Sequence, residues 1–233
     1  MNSKIIEIVW STDVVEKFHR LSIASLTIIN VKIKPRNKEL DDLVKDKVEY
    51  LRERYTLERL KNEALVRAYR DFFWRMGIDP TKRRPAAEAL LRRILQGKGL
   101  PRILNVVDAY NLASAETLIT MSAYDLDKVE PPLIVRFAKK GEEVILIGNR
   151  RRVLTGRELV LSDQEGILCV YVHGDVERTK VTSETRNILL VAYGTPGMSV
   201  SVLMDSLKKA YEYITKCAGG QLLQVFASRT SYT

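Results

Sequence analysis

The pattern of apolar residues changes character at Pro101, and that change limits the folds open to this chain. Before it, Leu40, Leu43, Val44, Val48 and Leu51 fall on one helical face with charges opposite. A second helix is expected over 57–76, with Leu60, Ala64, Ala68 and Phe72 inward and Gly77 and Pro80 ending it. A third is expected over 86–95, behind Pro85. After Pro101, a short helix around 105–113 gives way to β-rich runs at 133–138, 143–147, 158–162, 167–172 and 187–193. Gly141, Gly148, Gly156 and Gly166 punctuate these runs. A last helix covers about 201–216. Helices first, many strands next and one closing helix imply an α+β fold around a mixed sheet core.

The first 34 residues read as two strands around a helix: 5–10, a helix from Ser11 or Thr12 through Arg20, and 25–33. The expected organisation is an N-terminal strand and helix portion (1–60) packed on a main domain (61–220). Residues 221–233 are expected as a loosely held tail.

Charge is uneven along the chain. Residues 61–102 carry 11 Lys and Arg against 4 Asp and Glu, a net of +7 out of +9 for the whole chain. Within this stretch, Lys82, Arg83 and Arg84 lie on a loop that leads into a helix bearing Arg92 and Arg93. Such a surface can follow a phosphate backbone, which positions a nucleic acid without reading its sequence. A solvated helix face, with Glu88 paired to Arg92 one turn on, is the plainer alternative.

Several chemistries are excluded. The chain has two cysteines, Cys169 and Cys217, with no CxxC pair, and two histidines, His19 and His173. No disulfide framework, metal site or cofactor is expected. No phosphate loop, dinucleotide fingerprint, nucleophile elbow or HExxH motif occurs, and a Ser/His/Asp triad would have to use one of the two histidines. The uncharged run 187–204 contains Gly194, Pro196 and Gly197, which reads as strand, turn and helix start, not a membrane span. Glu7 interrupts the early apolar stretch, so a cytoplasmic location is expected.

Three polar clusters remain in the second half. Asn105, Asp108 and Asn111 share one helical face. His173 and Asp175 follow a strand, and Thr182 and Thr185 precede another. Residues of these types cap helices and form turns, but at strand and helix ends they can also line a cleft.

Five segments then carry a resemblance. Residues 100–111 (LPRILNVVDAYN), 123–129 (AYDLDKV), 134–143 (IVRFAKKGEE), 158–166 (ELVLSDQEG) and 182–190 (TSETRNILL) occur in order. Together they resemble the B3/B4 domain of the phenylalanyl-tRNA synthetase beta subunit, and the stretch preceding them resembles solitary versions of that domain. The resemblance implies a three-layer sandwich of mixed β-sheets with helices. It also implies a cleft that receives the 3′ end of a mischarged tRNA, and hydrolysis of the wrongly attached amino acid. An aminoacyl ester is already activated, so a positioned water and a few donors suffice, in keeping with the missing triad.

On this basis His173, Asp175 and Ser122 are the candidate catalytic residues. Asn105, Asp108, Asn111, Thr182, Thr185 and Val191 are the candidate pocket residues, and Lys82, Arg83, Arg84, Arg92 and Arg93 the candidate RNA-binding residues. Two positions depart from the family's pattern. Ser122 stands where a histidine is usual, and Val191 where a glutamate would read a tyrosine hydroxyl. Valine offers no acceptor, so a less polar amino acid is the expected occupant. The expected partner is tRNA, with a tRNA synthetase as a second candidate, and no amino-acid activation is expected. The alternatives are a non-catalytic RNA-binding module and an amino-acid-binding pocket that needs no RNA.

Overall fold

The computed structural model describes residues 5–231; residues 1–4 and 232–233, the outer ends of the expected N-terminal portion and tail, lie outside it. The element order is β1 (Ile8–Trp10), α1 (Thr12–Lys17), β2 (Ser22–Ile29), α2 (Lys38–Arg54), α3 (Leu57–Asn62), α4 (Ala64–Arg75), α5 (Ala86–Leu95), α6 (Asn105–Thr117) and β3 (Thr120–Asp125). It continues with β4 (Leu133–Phe137), β5 (Glu143–Leu146), β6 (Arg150–Val153), β7 (Leu159–Ser162), β8 (Ile167–Val170), β9 (Gly174–Asp175), β10 (Ile188–Tyr193), α7 (Val200–Ala218) and β11 (Gln221–Arg229).

These elements form three layers. One sheet has the order β1-β4-β7-β8-β9, with β1 parallel to β4 and the other pairs antiparallel. A second, antiparallel sheet has the order β11-β2-β10-β3. Strand alternation explains the stacking. On β10, Ile188, Leu190 and Ala192 pack with Leu112, Leu203 and Leu207 of the helical layer. Leu189, Val191 and Tyr193 point the other way, toward Leu133, Leu161 and Leu168 of the first sheet. Within the second sheet β10 is therefore buried on both faces, which is why it reads as an unbroken apolar run rather than an alternating one. The fold is α+β with mixed sheets and helices.

Three expectations change. The expected N-terminal portion does more than pack on the core: among residues 5–60, β2 lies between β11 and β10, and β1 extends the first sheet. The expected tail instead supplies β11, an edge strand of nine residues paired along β2. Its exposed Leu222, Leu223 and Val225 gave no apolar alternation to mark it. The helix expected over 57–76 breaks at Glu63, whose ψ is 133°. The break lets Leu60 pack in the helical layer while Phe72 enters the space between the sheets. After β10, Gly194 passes so close to β2 that an added Cβ would lie 2.1 Å from Ser22 Oγ and 2.9 Å from Ser22 O. Glycine at this position is fixed by space.

Candidate functional site: a tyrosine-lined cavity beside a cationic groove

On one side of the sandwich β3 and β9 are the edge strands of the two sheets, and among the described residues β3 is met there only by the isolated bridge between Tyr124 and Lys180. A cavity of about 300 Å³ lies at this side. α4 roofs it with Tyr69, Phe72 and Phe73; α6 adds Tyr110 and Asn111; β3 adds Thr120, Met121 and Ser122. Cys169, Tyr193 and the segment from Tyr171 to Asp175 complete the wall, and Arg83 and Arg84 stand at its margin.

The interior is rich in polar groups. The Tyr124 hydroxyl, behind the wall, donates to Asp175 Oδ1 at 2.9 Å and lies 2.5 Å from the Tyr193 hydroxyl. Ser122 and Cys169 also act on the Asp175 carboxyl, favouring its charged form as Tyr124 does. Burial raises the Asp175 pKa above the usual carboxylate value despite these groups, because desolvation disfavours the charged form. Burial also holds the Cys169 thiol protonated, which removes it as a nucleophile. The imidazole of His173 is pushed down to about 4 by burial and by the charges of Arg83, Arg152 and Arg150, so it is neutral at physiological pH. His173 Nδ1, the Tyr171 hydroxyl and Thr120 Oγ1 are buried, line this cavity and have no hydrogen-bond partner. Three such atoms in one small space mark a site built for a polar occupant, since buried polar groups are otherwise paired.

Beside the cavity runs an open groove lined by Lys82, Arg83, Arg84, Arg92, Arg93 and Lys98. The five cations singled out in the sequence thus share one surface. Glu88 does not pair with Arg92. It is buried, takes a bidentate bond from Arg70 at 2.8 and 2.5 Å, and lies 3.8 Å from Arg84. Among the described residues, Lys82, Arg83, Arg92 and Arg93 have no carboxylate partner. Arg83 and Arg84 line both groove and cavity, so the two are continuous. Arg83 also donates to the His173 carbonyl at 3.2 Å.

Of the candidate catalytic and pocket residues, Asn111, Ser122, His173 and Asp175 meet in the cavity, while Asn105, Asp108, Thr182, Thr185 and Val191 do not line it. Asn105 is a buried staple whose Oδ1 accepts from Lys34 and Val106 N–H groups and whose Nδ2 donates to the carbonyls of Lys32 and Cys217. Asp108 is fully buried, accepting from Arg102 at 2.9 Å and from Ile103 N–H at 2.7 Å. Thr185 donates to Asp125 at 2.9 Å and accepts from Thr182 N–H, closing the turn before β10. Val191 sits between the sheets, paired in register with Ser122 but outside the cavity lining.

Sequence reasoning missed the tyrosines, which come from α4, α6, the end of β8 and β10 and share no spacing. It also missed Arg150 and Arg152. The run Arg150-Arg151-Arg152 was visible, but only its strand pairing shows which way each arginine faces.

A cavity with polar groups in its wall at one side of a two-sheet sandwich, continuous with a cationic groove, defines a pocket domain by its form. Residues 68–216 match the B3/4 domain family, and the chain belongs to that family. It is 32% identical over 156 residues to the phenylalanine–tRNA ligase beta subunit of Fusobacterium nucleatum, covering 57% of this chain and 20% of that one. It is 40% identical over 100 residues to the corresponding subunit of Aquifex aeolicus, covering 42% and 13%. An N-terminal fragment of the phenylalanyl-tRNA synthetase beta subunit from Pyrococcus horikoshii shares the fold, with a TM-score of 0.52 at 14% identity, covering 98% of this chain and 55% of that one. The chain spans about one fifth of the length of the first ligase subunits it matches. Among the described residues, no helix is long and apolar enough to cross a membrane, and no group of three or more His, Cys, Asp or Glu is placed to hold a metal ion.

Proposed function

We propose that this chain binds tRNA along the groove of Lys82, Arg83, Arg84, Arg92 and Arg93 and hydrolyses a mischarged aminoacyl ester in the adjoining cavity. The observation that carries this reading is that Arg83 and Arg84 belong to both surfaces. A phosphate backbone lying in the groove is thereby delivered to the cavity mouth. The ligase subunits described above take a tRNA as substrate, as their names state, which supports tRNA as the polyanion.

Chemically, the aminoacyl group enters among the tyrosines. Asp175, Ser122 and the unpaired Tyr171 and Thr120 hydroxyls fix its polar atoms. The neutral His173 ring offers Nδ1, an atom with no protein partner, to orient a water against the ester carbonyl. Water adds to that carbon, the bond to the tRNA oxygen breaks, and the proton passes to the released hydroxyl of the tRNA. No side-chain nucleophile is required, because positioning and donors aimed at the developing charge carry the rate.

The test is to incubate the purified protein with a panel of correctly and wrongly charged tRNAs and follow ester loss. Selective loss of one mischarged species is expected. Tight binding of every species without hydrolysis would overturn the catalytic part and leave a binding module.

A further inference from the structure

The β5–β6 hairpin carries three successive arginines, and its pairing sorts them. Leu146 pairs with Arg150, Ile145 with Arg151 and Val144 with Arg152. Cross-strand partners share a face. Val144 and Leu146 are buried in a small core with Val170 and Val176, so Arg150 and Arg152 share the hairpin's inward face, close enough to Arg83 and His173 for their charges to act on both. Arg151 shares the opposite face with the exposed Ile145.

The hairpin is fixed to the site itself. Ile147 N–H donates to the Asp175 carbonyl at 3.0 Å, Glu177 N–H donates to the Ile145 carbonyl at 2.8 Å, and Leu146 bridges to Val176. On the other side, Arg83 holds the His173 carbonyl. Two cationic arms are thus anchored two residues apart on the segment that walls the cavity, a span of about 7 Å along the chain. Arg83 feels the charges of Arg152 and Arg150, which add to burial in lowering its pKa. None of these arginines has a carboxylate partner among the described residues. The nearby Glu177 is engaged by Gly148 N–H and by Lys180. A rigid set of like charges with no counter-charge costs stability unless an anion fills it.

We propose that Arg150 and Arg152 on one side and Arg83 on the other clamp the phosphates of the terminal single-stranded nucleotides of the RNA, immediately outside the cavity. This rests on the tRNA reading above and adds a second wall that the helix and loop cations do not provide. Arg151, of equal charge and on the other face, takes no part.

The experiment measures binding of two probes across a salt series: an intact uncharged tRNA, and the same tRNA without its last three nucleotides. The proteins are the wild type, Arg150→Ala/Arg152→Ala and Arg151→Ala; all three side chains are exposed, so the fold is not at stake. The double variant is expected to weaken binding of the intact tRNA by about fivefold or more. Its log–log salt slope is expected to flatten by about 1.4, or roughly 0.7 for each single-strand phosphate no longer neutralised. Its affinity for the shortened tRNA is expected to stay at the wild-type value, and Arg151→Ala to leave both probes unchanged. A double variant that binds intact tRNA like the wild type overturns the clamp alone. Equal weakening on both probes, or equal weakening from Arg151→Ala, overturns it in favour of a diffuse field. If the wild type binds neither probe even at low salt, the tRNA reading falls and the clamp with it.

Discussion

The Tyr124 hydroxyl donates to Asp175 Oδ1 at 2.9 Å, joining β3, an edge strand of the second sheet, to β9, an edge strand of the first, across the cavity wall. Tyr124 is fully buried, and its hydroxyl also meets that of Tyr193. Tyr124→Phe should therefore cost about 2 kcal/mol in urea unfolding, since it strips a donor from a buried carboxyl and leaves a tyrosine hydroxyl unpaired. A cost no larger than that at an exposed tyrosine would mean the network does not hold the two sheets.

Asp175 itself should show the opposite sign. Its pKa in the folded protein is raised, so the folded state binds its proton more tightly than the unfolded chain does. The stability it contributes is present at low pH and is lost as pH rises through the folded value. Burial thus makes the charged carboxyl the disfavoured form in the folded protein. Asp175→Asn is expected to raise unfolding stability by about 1 kcal/mol at pH 7 and to change little at pH 3.5, while slowing ester hydrolysis by about tenfold or more. A variant that is less stable at pH 7, or one as active as the wild type, would remove Asp175 from this role.

Asn105 belongs to the fold rather than the site. Its side chain makes four hydrogen bonds, three of which tie α6 to the segment after β2 and to the end of α7. Asn105→Ala should destabilise the protein by about 3 kcal/mol, because each abandoned buried group carries its own desolvation cost. At a temperature where the variant remains folded, its activity per folded molecule should match the wild type. Impaired activity in fully folded protein would return Asn105 to the site.

The contrast between Asn105 and Asn111 shows what the sequence could convey. Their spacing put both on one face of a helix, and the helix is there. Whether that face meets a cavity or a neighbouring loop depends on where the chain before α2 returns, and no local pattern encodes that. Helical periodicity located α2, α5 and α7 because each buries one face. β3 went unnoticed because Thr120 and Ser122 interrupt its apolar residues on the side that lines the cavity. β11 went unnoticed because an edge strand buries little. The cationic loop was legible as a charge excess. Its continuity with the cavity was not, since that depends on Arg83 reaching His173 across ninety residues of sequence.

β11 should matter to stability far more than a tail would. Thr230, just beyond it, is buried; its hydroxyl donates to the Phe18 carbonyl at 2.5 Å and accepts from Leu21 N–H at 2.9 Å. Gln224 exchanges two hydrogen bonds with the Ile6 backbone, and Ser228 accepts from the Trp10 indole. Thr230→Val keeps the shape and removes both bonds, so a loss of about 2 kcal/mol is expected in chemical denaturation. A neutral result would show that the last strand is not part of the cooperative unit.

His173 gives the clearest pH signature. Its pKa is about 4 in the folded protein and 6.5 in a free chain, so between those values the unfolded state binds more protons. Stability must therefore rise with pH across this window and be lost as pH falls through it. The neutral ring is enforced by burial first, and then by Arg83, Arg152 and Arg150, with Glu158 opposing them. His173→Gln keeps a polar side chain that does not titrate. Urea unfolding at pH 7 and pH 4.5 should show the wild type losing about 2 kcal/mol more than the variant over this interval. Adding Arg150→Ala and Arg152→Ala in the wild-type background should shrink that difference, because two of the charges that disfavour the imidazolium are gone. If wild type and His173→Gln track each other, the ring is not held neutral, and the imidazole cannot serve as the acceptor that orients water.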